Sequence, residues 1–202
     1  MGYLKNIFYL IFLTLFIDTY GQCSGTQSFT LSPPPPPTGY TIGTVVSVCY
    51  TMNSYTQIGS NWFEGFDLNL GPGWTNLTPT TPPANCGGAG SGGQWIWLTT
   101  TTSTTLPITT VGPGYFFDLN NNGVAGDDFG DNNVGGCSWS FCFTVTVANN
   151  CTPQNLLIQV TTGSDGVWGS YTSTACDITT PVTVYNGTSN PTLPTIGLIN
   201  HN

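Results

Sequence analysis

Alternation of apolar and polar residues is the strongest pattern in this sequence, and it predicts β-strands. The stretch SWSFCFTVTV at 138–147 places on one face of a strand Trp139, Phe141, Phe143, Val145 and Val147. The other face carries Ser, Thr and Cys142. Because large aromatic and β-branched side chains favour half-buried strands, we expect the aromatic face to line a core.

Shorter stretches of similar character predict further strands at 41–52, 66–70, 94–99, 105–110, 115–117, 156–162 and 182–185, and residues 29–31 could open the first sheet. Clusters of Gly, Pro and Asn separate these stretches, and none shows the helical period of about 3.6 residues. The predicted fold class is all-β: a disulfide-bonded antiparallel β-sandwich with long Gly/Pro/Asn-rich loops.

The chain divides into four predicted parts. At 1–22, Lys5 precedes an apolar run shorter than the ~20 residues that cross a bilayer, which is typical of a secretory signal peptide. Residues 23–40 form an N-terminal segment with a polyproline linker. The β-sandwich domain is expected at 41–186 and a flexible C-terminal tail at 187–202. We therefore expect a secreted or cell-surface protein with no transmembrane span in its mature chain.

The charge balance excludes several functions. Charged residues make up 5% of the chain, with one Lys or Arg against nine Asp or Glu and a formal net charge of -8. A nucleic-acid partner is excluded because no basic face can form. Catalysis by a lysine Schiff base or an arginine clamp is also excluded, because the one basic residue, Lys5, lies in the predicted signal peptide. The only histidine is His201. We also expect no nucleotide cofactor.

All seven cysteines follow the predicted signal peptide. In an exported chain this number indicates disulfides, while the lack of a C-x-x-C pair and of a usable histidine argues against zinc. We expect three bridges, with Cys23 left over. Plausible pairs, among which the sequence does not decide, are Cys49 with Cys142, Cys86 with Cys137 and Cys151 with Cys176.

Residues 118–131, which we call the acidic loop, hold four of the acidic residues that follow the signal peptide. The loop begins like the first half of a calcium loop, D-x-N-x-N-G, although Phe129 stands where an EF-hand has a bidentate Glu. The predicted calcium ligands are Asp118, Asn120, Asn122, Asp127, Asp128 and Asp131. The alternative is a solvated loop whose Asp and Asn side chains bond their own backbone.

Two tryptophans in Gly-rich loops, Trp74 and Trp168, are candidate ligand-binding residues, because aromatic side chains on loops can stack on sugars. The alternative is that each one caps the sandwich core. The sequence NWFEGFD also places Glu64 and Asp67 in an aromatic setting, as a carboxylate-based glycoside hydrolase would. A regular strand puts residues three apart on opposite faces, which argues against this pair.

Several segments together resemble a module of secreted surface proteins of Bacteroidetes, often found with gliding-motility-associated or type 9 secretion sorting domains. They are VCYTM at 48–52, NWFEGF at 61–66, LGPGW at 70–74, QWIW at 94–97, GPGYFFD at 112–118, GDDFGDN at 126–132 and CSWSFCFTVTV at 137–147. The resemblance spans about residues 41–177. It implies export and a surface or adhesive setting, and it carries over no catalytic residues.

These observations favour a non-enzymatic adhesion or binding module whose partner is an extracellular glycan or a surface protein. The first alternative is the glycoside hydrolase. The second is a structural surface protein that self-assembles, since low charge and open strand edges permit strand-to-strand association.

Overall fold

The computed structural model describes residues 23, 25–57, 61–87, 92–133, 136–171 and 181–191. The predicted signal peptide, Cys176, His201 and most of the predicted tail lie outside these residues. In the described part of the chain, no helix has the length and apolar character needed to cross a membrane.

Within these residues the chain forms eleven strands and one short helix. The strands are β1 (Gln27–Ser32), β2 (Val45–Met52), β3 (Phe63–Leu70), β4 (Trp74–Pro79), β5 (Gln94–Leu98), β6 (Thr101–Thr102), β7 (Thr110–Val111), β8 (Gly114–Asp118), β9 (Trp139–Val147), β10 (Ile158–Ser164) and β11 (Val182–Tyr185). The helix α1 (Asp165–Trp168) follows β10 directly.

Two antiparallel sheets make up the body of the fold. One has four strands in the order β1-β2-β9-β4, and the other has five in the order β11-β10-β3-β8-β5. Strands β6 and β7 pair separately as a small hairpin. The predicted all-β, disulfide-bonded antiparallel β-sandwich is confirmed.

Aromatic side chains fill the space between the two larger sheets. Phe66 of β3 stacks on Phe141 of β9 with ring centroids 5.0 Å apart, and Phe63 packs against Trp139 at 4.8 Å. The whole apolar face predicted for β9 is buried in this core. Burial of such large rings supplies most of the hydrophobic stabilisation that this fold can draw on.

A smaller apolar cluster covers part of the outer face of the five-stranded sheet. It consists of Phe116 of β8, Ala125 of the acidic loop and Trp168 of α1. The β6–β7 hairpin is fastened beside it, because the hydroxyl of Thr109 donates to the carbonyl of Val167 at 2.9 Å. This outer cover brings α1 and the acidic loop together over the same sheet.

Most of the predicted strands are present, with shifted ends. The strand predicted at 105–110 is wrong, because this segment is mainly the turn between β6 and β7. Strand β4 and helix α1 were not predicted. Both begin beside glycines, in segments whose Gly and Pro content is typical of loops.

The sandwich extends beyond both predicted boundaries. Strand β1 pairs with β2 along its whole length, so the sheet begins before residue 41. At the other end, the amide of Asn190 donates to the carbonyl of Tyr40 at 2.7 Å, and the amide of Ser189 donates to Gln154 at 2.9 Å. The first residues of the predicted tail, 187–191, therefore pack on the domain.

Two of the predicted disulfides are confirmed, and the prediction of the unpaired cysteine is wrong. Cys49 bonds Cys142 across the β2–β9 pair, where the two residues lie directly opposite each other. Cys86 bonds Cys137. Cys151 is free and exposed, so it does not bond Cys176, whereas Cys23 is disulfide-bonded.

Candidate functional site

Asp131, the last residue of the acidic loop, ties the two sheets together inside the core. Its carboxylate accepts the indole N–H of Trp95 from β5 at 3.0 Å and that of Trp139 from β9 at 2.7 Å. The amide of Cys86 donates to both carboxylate oxygens at 3.0 Å. Burial raises the pKa of Asp131, while these donors oppose the shift. Because its carboxylate accepts these three N–H groups in the core, we do not propose Asp131 as a calcium ligand, although the sequence predicted it as one.

A β-bulge in β3 determines where Glu64 lies. On the neighbouring strand β10, Ser164 pairs with Phe63 and Gly163 pairs with Gly65, which leaves Glu64 as the extra residue of β3. The rings of Phe63 and Phe66 both pack into the core, so Glu64 and Gly65 fall between two inward-facing side chains. The bulge thus places Glu64 on the outer face of the five-stranded sheet.

Glu64 is completely buried on this face, and neither carboxyl oxygen has a hydrogen-bond partner among the described residues. Burial raises its pKa well above the usual range. The negative charges of Asp165, Asp128, Asp127 and Asp118 raise the pKa further. A buried carboxyl group without a partner costs free energy in either protonation state, since the protonated form adds an O–H that also needs an acceptor. The burial of Glu64 without a hydrogen-bond partner therefore lowers the stability of the fold.

Asp165, the first residue of α1, is another buried carboxyl group of this region. Its carboxylate accepts the amide N–H of Trp62 at 3.1 Å and that of Gly130 at 3.4 Å. Burial raises the pKa of Asp165 to about 7, against the lowering effect of these donors. Its side chain thus connects the segment that precedes β3, the acidic loop and α1.

The acidic loop is held by bonds between its own side chains and backbone. Asp118 accepts the amides of Asn122 at 3.1 Å and Gly123 at 2.8 Å, and the side-chain oxygen of Asn120 shares the amide of Asn122 at 3.0 Å. Asp128 accepts the amide of Leu119 at 3.0 Å, and its other oxygen accepts the side-chain amide of Asn120 at 2.8 Å. The loop therefore folds its oxygen atoms inward, as the alternative without a metal also predicts.

Carboxylates alone do not form a metal centre here. Among the described residues, no three acidic, cysteine or histidine side chains are grouped closely enough to hold a metal ion. A calcium ion at this loop would need amide or main-chain oxygen atoms in its coordination shell, which calcium accepts readily.

Three aromatic side chains form a partly exposed row beside these carboxyl groups, and we call this row the rim platform. Phe129 lies between Trp62 and Tyr171, with ring centroids 5.8 and 5.7 Å from its own. Phe129 is 39% exposed, and the two flanking rings are half-buried. Aromatic rings in a row that solvent can reach are common features of binding surfaces.

Asp165 holds the three parts of the rim platform in place. It bonds the backbone of Trp62 in both directions, and its carbonyl accepts the amide of Tyr171 at 3.3 Å. Its carboxylate also accepts the amide of Gly130, next to Phe129. The rings come from three separate segments of the chain, so this one residue sets their relative positions.

The two tryptophans predicted as ligand-binding residues are core residues. Trp74 is 8% exposed and packs against Tyr40 and Tyr185, with ring centroids 6.0 and 6.4 Å apart. Trp168 is 1% exposed and packs against Phe116 at 6.0 Å. Neither indole ring is available to a ligand, and the alternative that each caps apolar packing is correct.

Asp67 does not join Glu64. Its carboxylate accepts the amide N–H of Gly112 at 2.6 Å, near the end of β7. The prediction that Glu64 and Asp67 lie on opposite faces is wrong, because the bulge puts both of them on the outer face. Even so, the carboxyl groups that act on Glu64 are those of the acidic loop and Asp165, and not that of Asp67.

The residues of the rim platform were not predicted as a site. NWFEGFD and GDDFGD each contain an aromatic residue near acidic residues, and this was the available signal. It did not distinguish the half-buried Trp62 from its buried neighbour Phe63. Asp165 gave no signal, because its contacts come from segments distant in the chain.

Comparison with known proteins adds no relative to this description. No protein-family model, curated protein or solved structure matches the chain. The resemblance to Bacteroidetes surface modules, with the export it implies, stays a prediction.

Proposed function

We propose that this protein is a non-enzymatic binding module of the extracellular space or cell surface, and that its rim platform binds a neutral glycan. The observation that carries the proposal is the partly exposed row formed by Trp62, Phe129 and Tyr171. Flat aromatic rings offer a large apolar contact area that loses little conformational entropy on binding, which suits the C–H faces of sugar rings.

Charge narrows the class of glycan. The rim platform adjoins the acidic loop, and the sequence after residue 22 contains no Lys or Arg. Sulfated or sialylated glycans would meet like charge with no cation to offset it. A neutral glycan carries no such penalty, and its hydroxyl groups suit the Asn and Asp side chains of the loop.

The extracellular setting is supported by the disulfides Cys49–Cys142 and Cys86–Cys137, since disulfides persist mainly in oxidising compartments. The glycoside hydrolase alternative has less support. Glu64, its proposed acid, is completely buried and would need an opening in the outer cover before it could touch a substrate.

A glycan array probed with the purified chain tests this proposal. We expect binding to neutral glycans that falls about tenfold or more in Phe129→Ala, which corresponds to roughly 1.4 kcal/mol. Phe29→Ala is the matched control. Phe29 is a phenyl group of similar exposure, 44%, on β1 of the other sheet, and we expect this variant to bind like the wild type.

Two results would contradict the proposal. One is the absence of binding to any neutral glycan. The other is an equal loss of binding in Phe129→Ala and Phe29→Ala, because it would show that binding does not use the rim platform.

A further inference from the structure

We propose that Glu64 is a ligand of a calcium ion bound at the first half of the acidic loop, where Asp118, Asn120 and Asn122 supply further oxygen atoms. The site would combine one carboxylate from a strand bulge with a half-formed calcium loop. It goes beyond the proposed function, because it does not depend on what the rim platform binds.

The position of Glu64 brings it near the start of the acidic loop. Gly65 of β3 pairs with Phe116 of β8, and Phe116 packs on the outer face against Trp168. Asp118 lies two residues beyond Phe116, so it projects from the same face of the neighbouring strand. Side chains that neighbour each other on one face of adjacent strands start about 5–8 Å apart. A calcium ion, whose bonds to oxygen are about 2.4 Å long, can bridge two such carboxylates.

The loop lacks an acidic side chain at its twelfth position, and Glu64 can supply one. Phe129 occupies the twelfth loop position, where a complete calcium loop has a bidentate Glu. Glu64 is a Glu from outside the loop, and its two oxygen atoms make no hydrogen bond within the described residues. Both atoms are therefore free to bind one ion.

The charges around Glu64 also favour a bound cation. Glu64 interacts with the charges of Asp165, Asp128, Asp127 and Asp118, and no Lys or Arg follows residue 22 to offset them. The negative charge of these carboxylates is therefore not balanced by any Lys or Arg side chain. A divalent cation would reverse the effect, because it attracts the same carboxylates that repel Glu64.

The oxygen atoms of the loop keep capacity for a metal. Asp118 accepts the amides of Asn122 and Gly123, and the side-chain oxygen of Asn122 accepts the amide of Val124 at 2.7 Å. A carboxylate or amide oxygen that accepts one N–H retains a lone pair. Asp127 is exposed at the margin of the loop. One oxygen of Asp128 accepts the amides of both Leu119 and Asn120, whereas each oxygen of Asp118 accepts one amide. Asp128 therefore keeps less capacity for a metal than Asp118, and we do not assign Asp127 or Asp128 as ligands.

Thermal melting of the purified full chain in EDTA and in calcium tests the assignment. At a hundredfold excess over its dissociation constant, calcium should raise the wild-type melting temperature by about 5–10 °C. Glu64→Gln should melt no lower than the wild type in EDTA, since it replaces an unpartnered buried carboxyl group by a neutral amide of similar volume. It should also lose most of the rise in calcium, with calcium affinity about tenfold or more weaker.

Asp67→Asn is the matched control. Asp67 is a half-buried carboxyl group of the same strand, but its carboxylate is held by the amide of Gly112. This variant should keep the full calcium response. A wild-type chain that does not respond to calcium would overturn the metal site. A Glu64→Gln variant that responds like the wild type would overturn the assignment of Glu64. Neither result would bear on glycan binding by the rim platform.

Discussion

Asp131 and Glu64 are both buried carboxyl groups next to the five-stranded sheet, and they differ in what surrounds their oxygen atoms. On the inner face, Asp131 accepts N–H groups from Trp95, Trp139 and Cys86. On the outer face, Glu64 has no partner among the described residues and lies near other carboxylates. Asp131 thus links the two sheets by hydrogen bonds, whereas Glu64 is the carboxyl group that we propose as a calcium ligand.

The apolar packing around the two groups differs in the same direction. Asp131 lies against the large aromatic core that joins the sheets, while Glu64 lies under the small cluster of Phe116, Ala125 and Trp168. A small cluster contributes less to stability and opens more easily than a large one. Stability is therefore concentrated inside the sandwich, and the outer cover tolerates an unpartnered buried carboxyl group.

The largest effect that we predict comes from Asp131→Ala. It leaves two buried indole N–H groups and the half-buried amide of Cys86 without an acceptor, at about 1–3 kcal/mol each, so we expect a loss of about 3–5 kcal/mol in the free energy of unfolding. Urea denaturation in EDTA measures it. Asp127→Ala, at an exposed aspartate of the same loop, is the control and should change stability by less than about 0.5 kcal/mol.

A loss below about 1 kcal/mol in Asp131→Ala would contradict the stabilising role of Asp131. It would mean that the three hydrogen bonds do not hold the sheets together, and that Asp131 does not differ from Glu64 in its role.

The next effect is a dependence of stability on pH, measured in EDTA. Burial raises the pKa of Asp165 to about 7. It also raises the pKa values of Glu64 of β3 and of Asp128 of the acidic loop. Groups whose pKa is raised by folding favour the folded state at low pH. Stability should therefore be highest near pH 4 and should fall by about 2–4 kcal/mol as the pH rises to 7.

Asp165→Asn checks the source of this dependence. The amide cannot ionise, so the variant should flatten the decline between pH 4 and 7. Stability that stays constant or rises over this interval in the wild type would contradict the unfavourable burial of the outer carboxyl groups.

The strands of the aromatic core and their buried faces could be predicted from the sequence, because their signals are local. Strict alternation in β9 identified its buried face. Two cysteines in predicted central strands also pointed to the Cys49–Cys142 bridge. These features follow from the two-residue period of a strand, which is visible directly in the sequence.

The outer half could not be predicted, because it depends on irregular backbone and on distant contacts. The bulge that turns Glu64 to the outer face leaves no mark in the residue pattern, and Asp165 meets Trp62 across 103 residues. Trp168 is set among glycines, which suggested exposure. Glycines of the sheet instead make room for it, since a Cβ added at Gly65 or Gly163 would lie 2.6 Å from its ring.

Calorimetric titration of the metal-free chain with calcium at pH 7 tests most directly the claim that the outer carboxyl groups form a ligand site. We expect saturable binding of about one ion per chain, with an affinity that is about tenfold or more weaker in Glu64→Gln. A wild-type titration without saturable heat up to millimolar calcium would contradict it, and the outer face would then be a structural surface like the inner one.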